Sequence, residues 1–182
     1  MNENELNHIK EEAARGNANA QFKLALKHIY GDGVPADNEY AAELLQKASD
    51  QGHMEAQYNL GICYHYGFGV KADYETAFKL YMKSALQGYA KGKVLIGKFY
   101  YKGLYVEKNY AEAVKWLFEA EQQNDITKAG YEKYLLGVCY AKGHGVSQNR
   151  EEAMKWFQKA TAEGDTNAQK ALEEIMKNNS GR

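Results

Sequence analysis

Five histidines, two cysteines, four serines and two glycine-bearing turns are the residues in this 182-residue chain whose types could do chemistry. His8, His28, His53, His65 and His144 could ligate a transition metal through ring nitrogens. No two of them stand in His-x3-His spacing, and no Cys-x2-Cys pair accompanies them. The stretch GDGVPADN (31–38) has the glycine and aspartate content of a calcium loop, but lacks the acidic ligand series and the closing glutamate. Ser49, Ser84, Ser147 and Ser180 stand in no nucleophile elbow and no Ser-x2-Lys context. Cys63 and Cys139 each precede a tyrosine on a predicted helix, the setting of a buried structural thiol. The turn YGFGV (66–70), ahead of a predicted helix, has the ingredients of a phosphate cradle, since glycines there can bare backbone N–H groups to an anion.

Recurrence removes the phosphate reading. A shift of 36 residues aligns YGDGV (30–34) with YGFGV (66–70) and KGLYV (102–106), and a further 40 brings in KGHGV (142–146). Upstream, Leu24, Leu60, Ile96 and Leu136 align, followed by Ala25, Gly61, Gly97 and Gly137, then His28, Tyr64, Tyr100 and Tyr140. Downstream, Asp37, Asp73, Asn109 and Asn149 align with one another. So do Ala41, Ala77, Ala113 and Ala153, then Leu44, Leu80, Trp116 and Trp156, then Ala48, Ser84, Ala120 and Ala160. A nucleotide site does not repeat at one spacing in a short chain, so the turn is structural.

Each repeat reads as two helices. Apolar residues three and four apart, such as Leu60 and Tyr64, share one helix face. The small residue after the repeat leucine would admit a neighbouring backbone. The glycine turn ends the first helix, and the aligned Asp or Asn caps the second. Glu112 and Glu152, three residues past Asn109 and Asn149, could complete a capping box. Gly52, Gly88, Asn124 and Gly164 suit the left-handed position after the second helix. Helices are expected over 4–15, 18–30, 38–51, 54–66, 74–87, 90–102, 110–123, 129–142, 150–163 and 167–178. The resulting organisation is a single repeat domain, 1–182. It has an N-terminal half-repeat at 4–17, repeats at 18–53, 54–89, 90–128 and 129–166, and a capping helix at 167–178. Glu173, Glu174 and Lys177 give that last helix a polar outer side. The third repeat departs from the pattern. Tyr105 stands where the others have glycine, so its loop is expected to have changed shape rather than hold tyrosine at positive φ. Four residues, DITK (125–128), are inserted before the next helix. They would either start that helix a turn early or lengthen a surface loop.

Net charge is −1, which gives no call for nucleic acid, although residues 1–57 carry a local −5 and residues 71–115 a local +5. No apolar run reaches the ~18–20 residues of a membrane helix, so no membrane insertion is expected. The N-terminus has no apolar signal core, which favours the cytoplasm; a periplasmic or secreted location would require that a leader has been removed. No catalytic residue, cofactor or metal is assigned.

The pattern A-x3-L-G-x2-Y-x2-G-x-G-V, followed by D-x3-A-x2-hydrophobic-x3-A-x3-G, is carried by AQYNLGICYHYGFGV (56–70) and DYETAFKLYMKSALQG (73–88). It resembles the Sel-one-like repeat family over residues 18–164. The resemblance implies an all-α, right-handed α-solenoid related to tetratricopeptide arrays, with first helices lining a concave groove and second helices outside. It further implies a non-catalytic adaptor or scaffold that binds a partner protein or peptide. Some bacterial members are immunity proteins that neutralise a toxin or effector, which is the alternative role. A cysteine-rich subgroup carries a disulfide in each repeat and includes β-lactamase-like members. Cys63 and Cys139 occupy the same repeat position two units apart, which departs from that subgroup. By analogy with tetratricopeptide geometry, the groove would be lined by Phe22, Leu26, Ile29 and Tyr30, by Tyr58, Ile62, His65 and Tyr66, by Val94, Lys98, Tyr101 and Lys102, and by Tyr134, Val138, Ala141 and Lys142. Aromatic side chains with a polar tip are favoured binding anchors, so Phe22, Tyr58, Tyr66, Tyr101 and Tyr134 are the expected contacts.

Overall fold

A chain with one proline and a regular supply of caps is free to be almost wholly helical. A computed structural model describes residues 3–123 and 130–180. Among the described residues there are ten α-helices and no strand. They are α1 (Glu3–Ala14), α2 (Ala18–Tyr30), α3 (Asn38–Asp50), α4 (Met54–Tyr66), α5 (Tyr74–Leu86), α6 (Ala90–Lys102), α7 (Tyr110–Glu121), α8 (Tyr131–Lys142), α9 (Arg150–Ala162) and α10 (Thr166–Ser180). The chain forms two compact units, residues 1–92 and 93–182.

The caps act as their positions predict. Asp37 accepts from the Tyr40 N–H, Asp73 from Glu75, Asn109 from Glu112 and Asn149 from Glu152. The Glu112 and Glu152 carboxylates turn instead to Lys115 and Lys155. First helices end at Gly31, Gly67 and Gly143, all left-handed. Gly52, Gly88 and Gly164 are left-handed after the second helices, while Asn124 and the insertion 125–128 lie outside the described residues. The helix expected at 129–142 begins at Tyr131, behind a left-handed Gly130. It therefore gains no extra turn. Three caps carried no repeat signal: Asn17, Asp165 and His53, whose Nδ1 accepts from the Ala56 N–H at 3.2 Å.

Two expectations need correction. The small residue after the repeat leucine admits a side chain, where a backbone was expected. A Cβ on Gly61 would lie 2.6 Å from the Tyr81 ring, on Gly97 2.9 Å from Leu117, and on Gly137 2.5 Å from the Phe157 ring. The row Leu45, Tyr81, Leu117 and Phe157 is thus the knob of each helix pair, and all four are buried. The loop at 102–106 also keeps its shape. Tyr105 adopts φ 62, alongside Gly33, Gly69 and Gly145 at 69–75. Surrounding hydrogen bonds, Leu104 N–H to the Phe99 carbonyl and Asn109 N–H to Tyr100, hold the turn, so the tyrosine absorbs the strain.

In residues 1–92 the core gathers Leu24, Leu44, Leu45, Leu60, Cys63 and Leu80 around fully buried alanines. In residues 93–182 it gathers Val94, Leu117, Leu135, Leu136, Cys139 and Trp156. Partly buried polar pairs follow the repeat as well. Gln51 donates to Gln21 at 2.8 Å and Gln87 to Gln57 at 2.7 Å. At the same repeat positions Lys133 and Glu163 form an ion pair at 3.1 Å.

Candidate partner-binding surfaces

In residues 1–92, α2 and α4 present the expected faces side by side in the repeat. Their last turns carry the open rings: Tyr30 is 76% exposed and Tyr66 53%, with Phe68 just beyond at 49%. Tyr66 stacks on His65 at 4.3 Å and on Phe68 at 5.7 Å, so the rings form a preset platform. Tyr58 is half-buried, its ring 5.3 Å from Tyr89 and 6.0 Å from Tyr81. Burial raises the Tyr58 phenol above its usual value, and the neighbouring phenols of Tyr66 and Tyr30 add to it. Phe22, Leu26, Ile29 and Ile62 are half-buried along the same helices, Phe22 against His53 at 4.7 Å.

His65 stands apart from this face. It is buried, with Nδ1 3.3 Å from the Tyr81 hydroxyl and its ring edge-on to Tyr74. It supports the platform from beneath. Three of the other histidines have local roles too: His28 bonds the Pro35 carbonyl at 3.0 Å, His53 caps α4, and His144 stacks on Tyr110 at 4.1 Å.

In residues 93–182, the predicted Tyr101, Tyr134, Val138, Ala141 and Lys142 line one cleft of about 430 Å³. Phe157 and Leu135 form its floor, and Ala171, Glu174 and Ile175 of α10 its far wall. Tyr134 packs 5.9 Å from Phe157. Tyr101 packs 5.2 Å from Tyr110, and burial, reinforced by nearby Cys139 and tyrosines, pushes its phenol up to about 12. Lys98 lies 5.7 Å from the centre of the Tyr131 ring, and Lys102 is exposed at the end of α6. Val94 belongs to the core instead. The repeat pattern did not reveal the α10 wall, since Glu174 reads as part of an outer face. The register would have found it, because the rule that marks Val138 two residues past Leu136 marks Glu174 two past Leu172.

These surfaces offer apolar faces, phenol hydroxyls and ammonium groups, which is contact chemistry. The thiols face the core: burial pushes both Cys63 and Cys139 up to about 11, and neither is in a disulfide. Among the described residues no cluster of metal-ligating side chains exists, and no helix is long and apolar enough to cross a membrane.

The Sel1 repeat profile matches the chain over residues 18–53, 55–89, 91–125 and 133–165. Among solved structures, a protective antigen of uropathogenic Escherichia coli with an SLR fold is similar, with TM-score 0.82 and 31% identity. That match covers 90% of this chain and 34% of the antigen. A Sel1 repeat protein from Oxalobacter formigenes aligns with TM-score 0.83 and 28% identity, covering 93% of this chain and 66% of that one. A putative Sel1 repeat protein from Klebsiella pneumoniae shares the fold at TM-score 0.58 and 21% identity, covering 92% and 82%. The chain thus spans about a third and about two thirds of the length of the first two. No curated protein sequence matches.

Proposed function

The chain belongs to the Sel1 repeat family of all-α solenoids, whose repeats typically serve as protein-interaction modules, and on that premise we propose that it is a non-catalytic adaptor or scaffold. It binds a partner protein or peptide through the inner faces of its first helices. The observation that carries this reading is the open platform of Tyr30, Tyr66 and Phe68. Tyr30 and Tyr66 hold the same repeat position, and at 76%, 53% and 49% exposure the rings of Tyr30, Tyr66 and Phe68 leave apolar surface that a partner can cover. Tyrosine suits such a role, with a rigid apolar body and a hydroxyl at the tip.

The test is affinity capture with wild type and a Tyr30→Ser/Tyr66→Ser variant. These two rings are better targets than Tyr58 and Tyr134, which pack on the core rings Tyr81 and Phe157 and would cost stability when truncated. The variant is expected to lose a protein the wild type retains while its melting temperature stays nearly unchanged. Equal retention by both would remove this face from the function.

A further inference from the structure

We propose that the cleft of residues 93–182 receives an apolar side chain flanked by carboxylates, so that its occupant is a short acidic–apolar segment of a partner protein. This deepens the reading above and rests on it, while using a different surface from the Tyr30/Tyr66 platform.

The cleft has an apolar floor and a basic rim. Phe157, Leu135, Val138 and Ile175 are its apolar lining, and about 430 Å³ is room for one or two large apolar side chains. Lys98, Tyr101 and Lys102 stand at i, i+3 and i+4 on α6 and so share the face that Tyr101 presents to the cleft. Lys142 lines it directly. Arg150, exposed at the first position of α9, donates to the Ile175 carbonyl at 2.6 Å, which sets a guanidinium beside the same wall. Lys142 therefore lines a cleft whose one acidic lining residue is Glu174, and Lys98, Lys102 and Arg150 stand on helices that supply other lining residues.

Helix dipoles account for only part of this charge. Lys102 and Lys142 occupy last turns, where a cation offsets the negative end of the helix dipole. Lys98 is mid-helix and has no such role, and Arg150 sits at a helix N-terminus, where the dipole disfavours a cation. Elsewhere in the same unit five lysines are matched: Lys93 pairs with Glu119, Lys115 with Glu112, Lys133 with Glu132 and Glu163, Lys155 with Glu152, and Lys159 with Glu121. Among the described residues no carboxylate pairs with Lys98, Lys102, Lys142 or Arg150. Positive charge beside an apolar cleft selects a partner of opposite sign and suppresses a basic one.

The experiment uses the full chain and three fluorescently labelled peptides with a common Leu-Phe-Leu centre, flanked by glutamates, serines or lysines. Fluorescence anisotropy reads binding at low and high salt. The glutamate-flanked peptide is expected to bind at least about tenfold more tightly than the serine-flanked one, and to weaken with salt. The Lys102→Glu/Lys142→Glu variant, changed only at exposed positions, should prefer the lysine-flanked peptide. Tyr30→Ser/Tyr66→Ser should bind the acidic peptide as wild type does. Equal binding of the glutamate and serine peptides would overturn the acidic partner while leaving groove binding in place. Absence of glutamate-peptide binding, indifference to the Lys102/Lys142 reversal, or loss in the Tyr30/Tyr66 variant would each overturn the assignment to this cleft. Apart from loss in the Tyr30/Tyr66 variant, which would move peptide binding to that platform, none of these results bears on capture through Tyr30 and Tyr66, which stands or falls on its own variant.

Discussion

Cys63 and Cys139 show how burial alone disarms a reactive side chain. Each thiol moves from near 9 to about 11, so at pH 8 only about one molecule in a thousand carries the thiolate. Native protein should react with an aromatic disulfide reagent far more slowly than urea-unfolded protein; equal rates would show that the thiols are accessible. The same shift has a signed effect on stability. The folded-state value lies above the unfolded one, so the contribution is complete below pH 9 and is lost as pH rises through 11. The urea midpoint of wild type should fall across that window more than that of a Cys63→Ala/Cys139→Ala variant. Tyr105 is the opposite case, a side chain kept at a backbone cost. A non-glycine residue at φ 62 costs about 1 kcal/mol or more. Tyr105→Gly should therefore raise unfolding free energy by about 1 kcal/mol, measured by urea titration; a loss of stability would mean that the ring's own contacts outweigh the strain.

Between neighbouring helices, one polar junction is built in two ways. The Gln21–Gln51 and Gln57–Gln87 pairs are neutral, and each also ties a helix end through Ala13 or Ser49 carbonyls. At the fourth repeat the junction becomes Lys133–Glu163, and Glu132, almost fully buried, occupies the position of Ala20, Ala56 and Gly92. Lys133 holds both carboxylates, Glu132 at 3.0 Å and Glu163 at 3.1 Å, and their bonds outweigh the desolvation that opposes its charge. Removing the ammonium strands a buried carboxylate. Lys133→Gln should cost about 3 kcal/mol in chemical denaturation, whereas Glu132→Ala/Lys133→Gln/Glu163→Gln, which restores the first repeat's residues, should cost much less. A single variant as stable as the triple would show that Glu132 is not held by this pair.

Within each unit, helices bury themselves mainly against sequence neighbours, as arrays of repeats do. The terminal helices carry polar groups where internal helices are apolar. Glu5, His8 and Glu12 stand at the register of Ala41, Leu44 and Ala48, and Glu173 at that of Gly137. With its own core around Leu24, Leu45 and Leu60, residues 1–89 should fold when expressed alone. Circular dichroism should show a helical fragment with cooperative thermal unfolding at a lower midpoint than the full chain. A fragment without helical signal would show that its core is insufficient.

Helix number, caps, turns and the repeat register were legible in the residues, because each depends on local geometry: Asp37 and Asn149 cap the helices that begin beside them, and Gly67 and Gly143 end the helices that run into them. The predicted Tyr101, Tyr134, Val138 and Lys142 do meet at one cleft, because repeat register places side chains by helix phase. The tertiary structure alone decided which side chain fills a space left by another residue. Tyr81 and Phe157 enter the gaps at Gly61 and Gly137, His65 sinks onto Tyr81 while Tyr66 beside it stays open, and α10 turns Glu174 into the cleft. Those outcomes depend on the distance between helix faces, which packing sets and a periodic pattern does not encode. Tyr105 fails for a related reason. Residue preference argued against positive φ, but the hydrogen bonds of the surrounding turn outweigh a cost of about 1 kcal/mol.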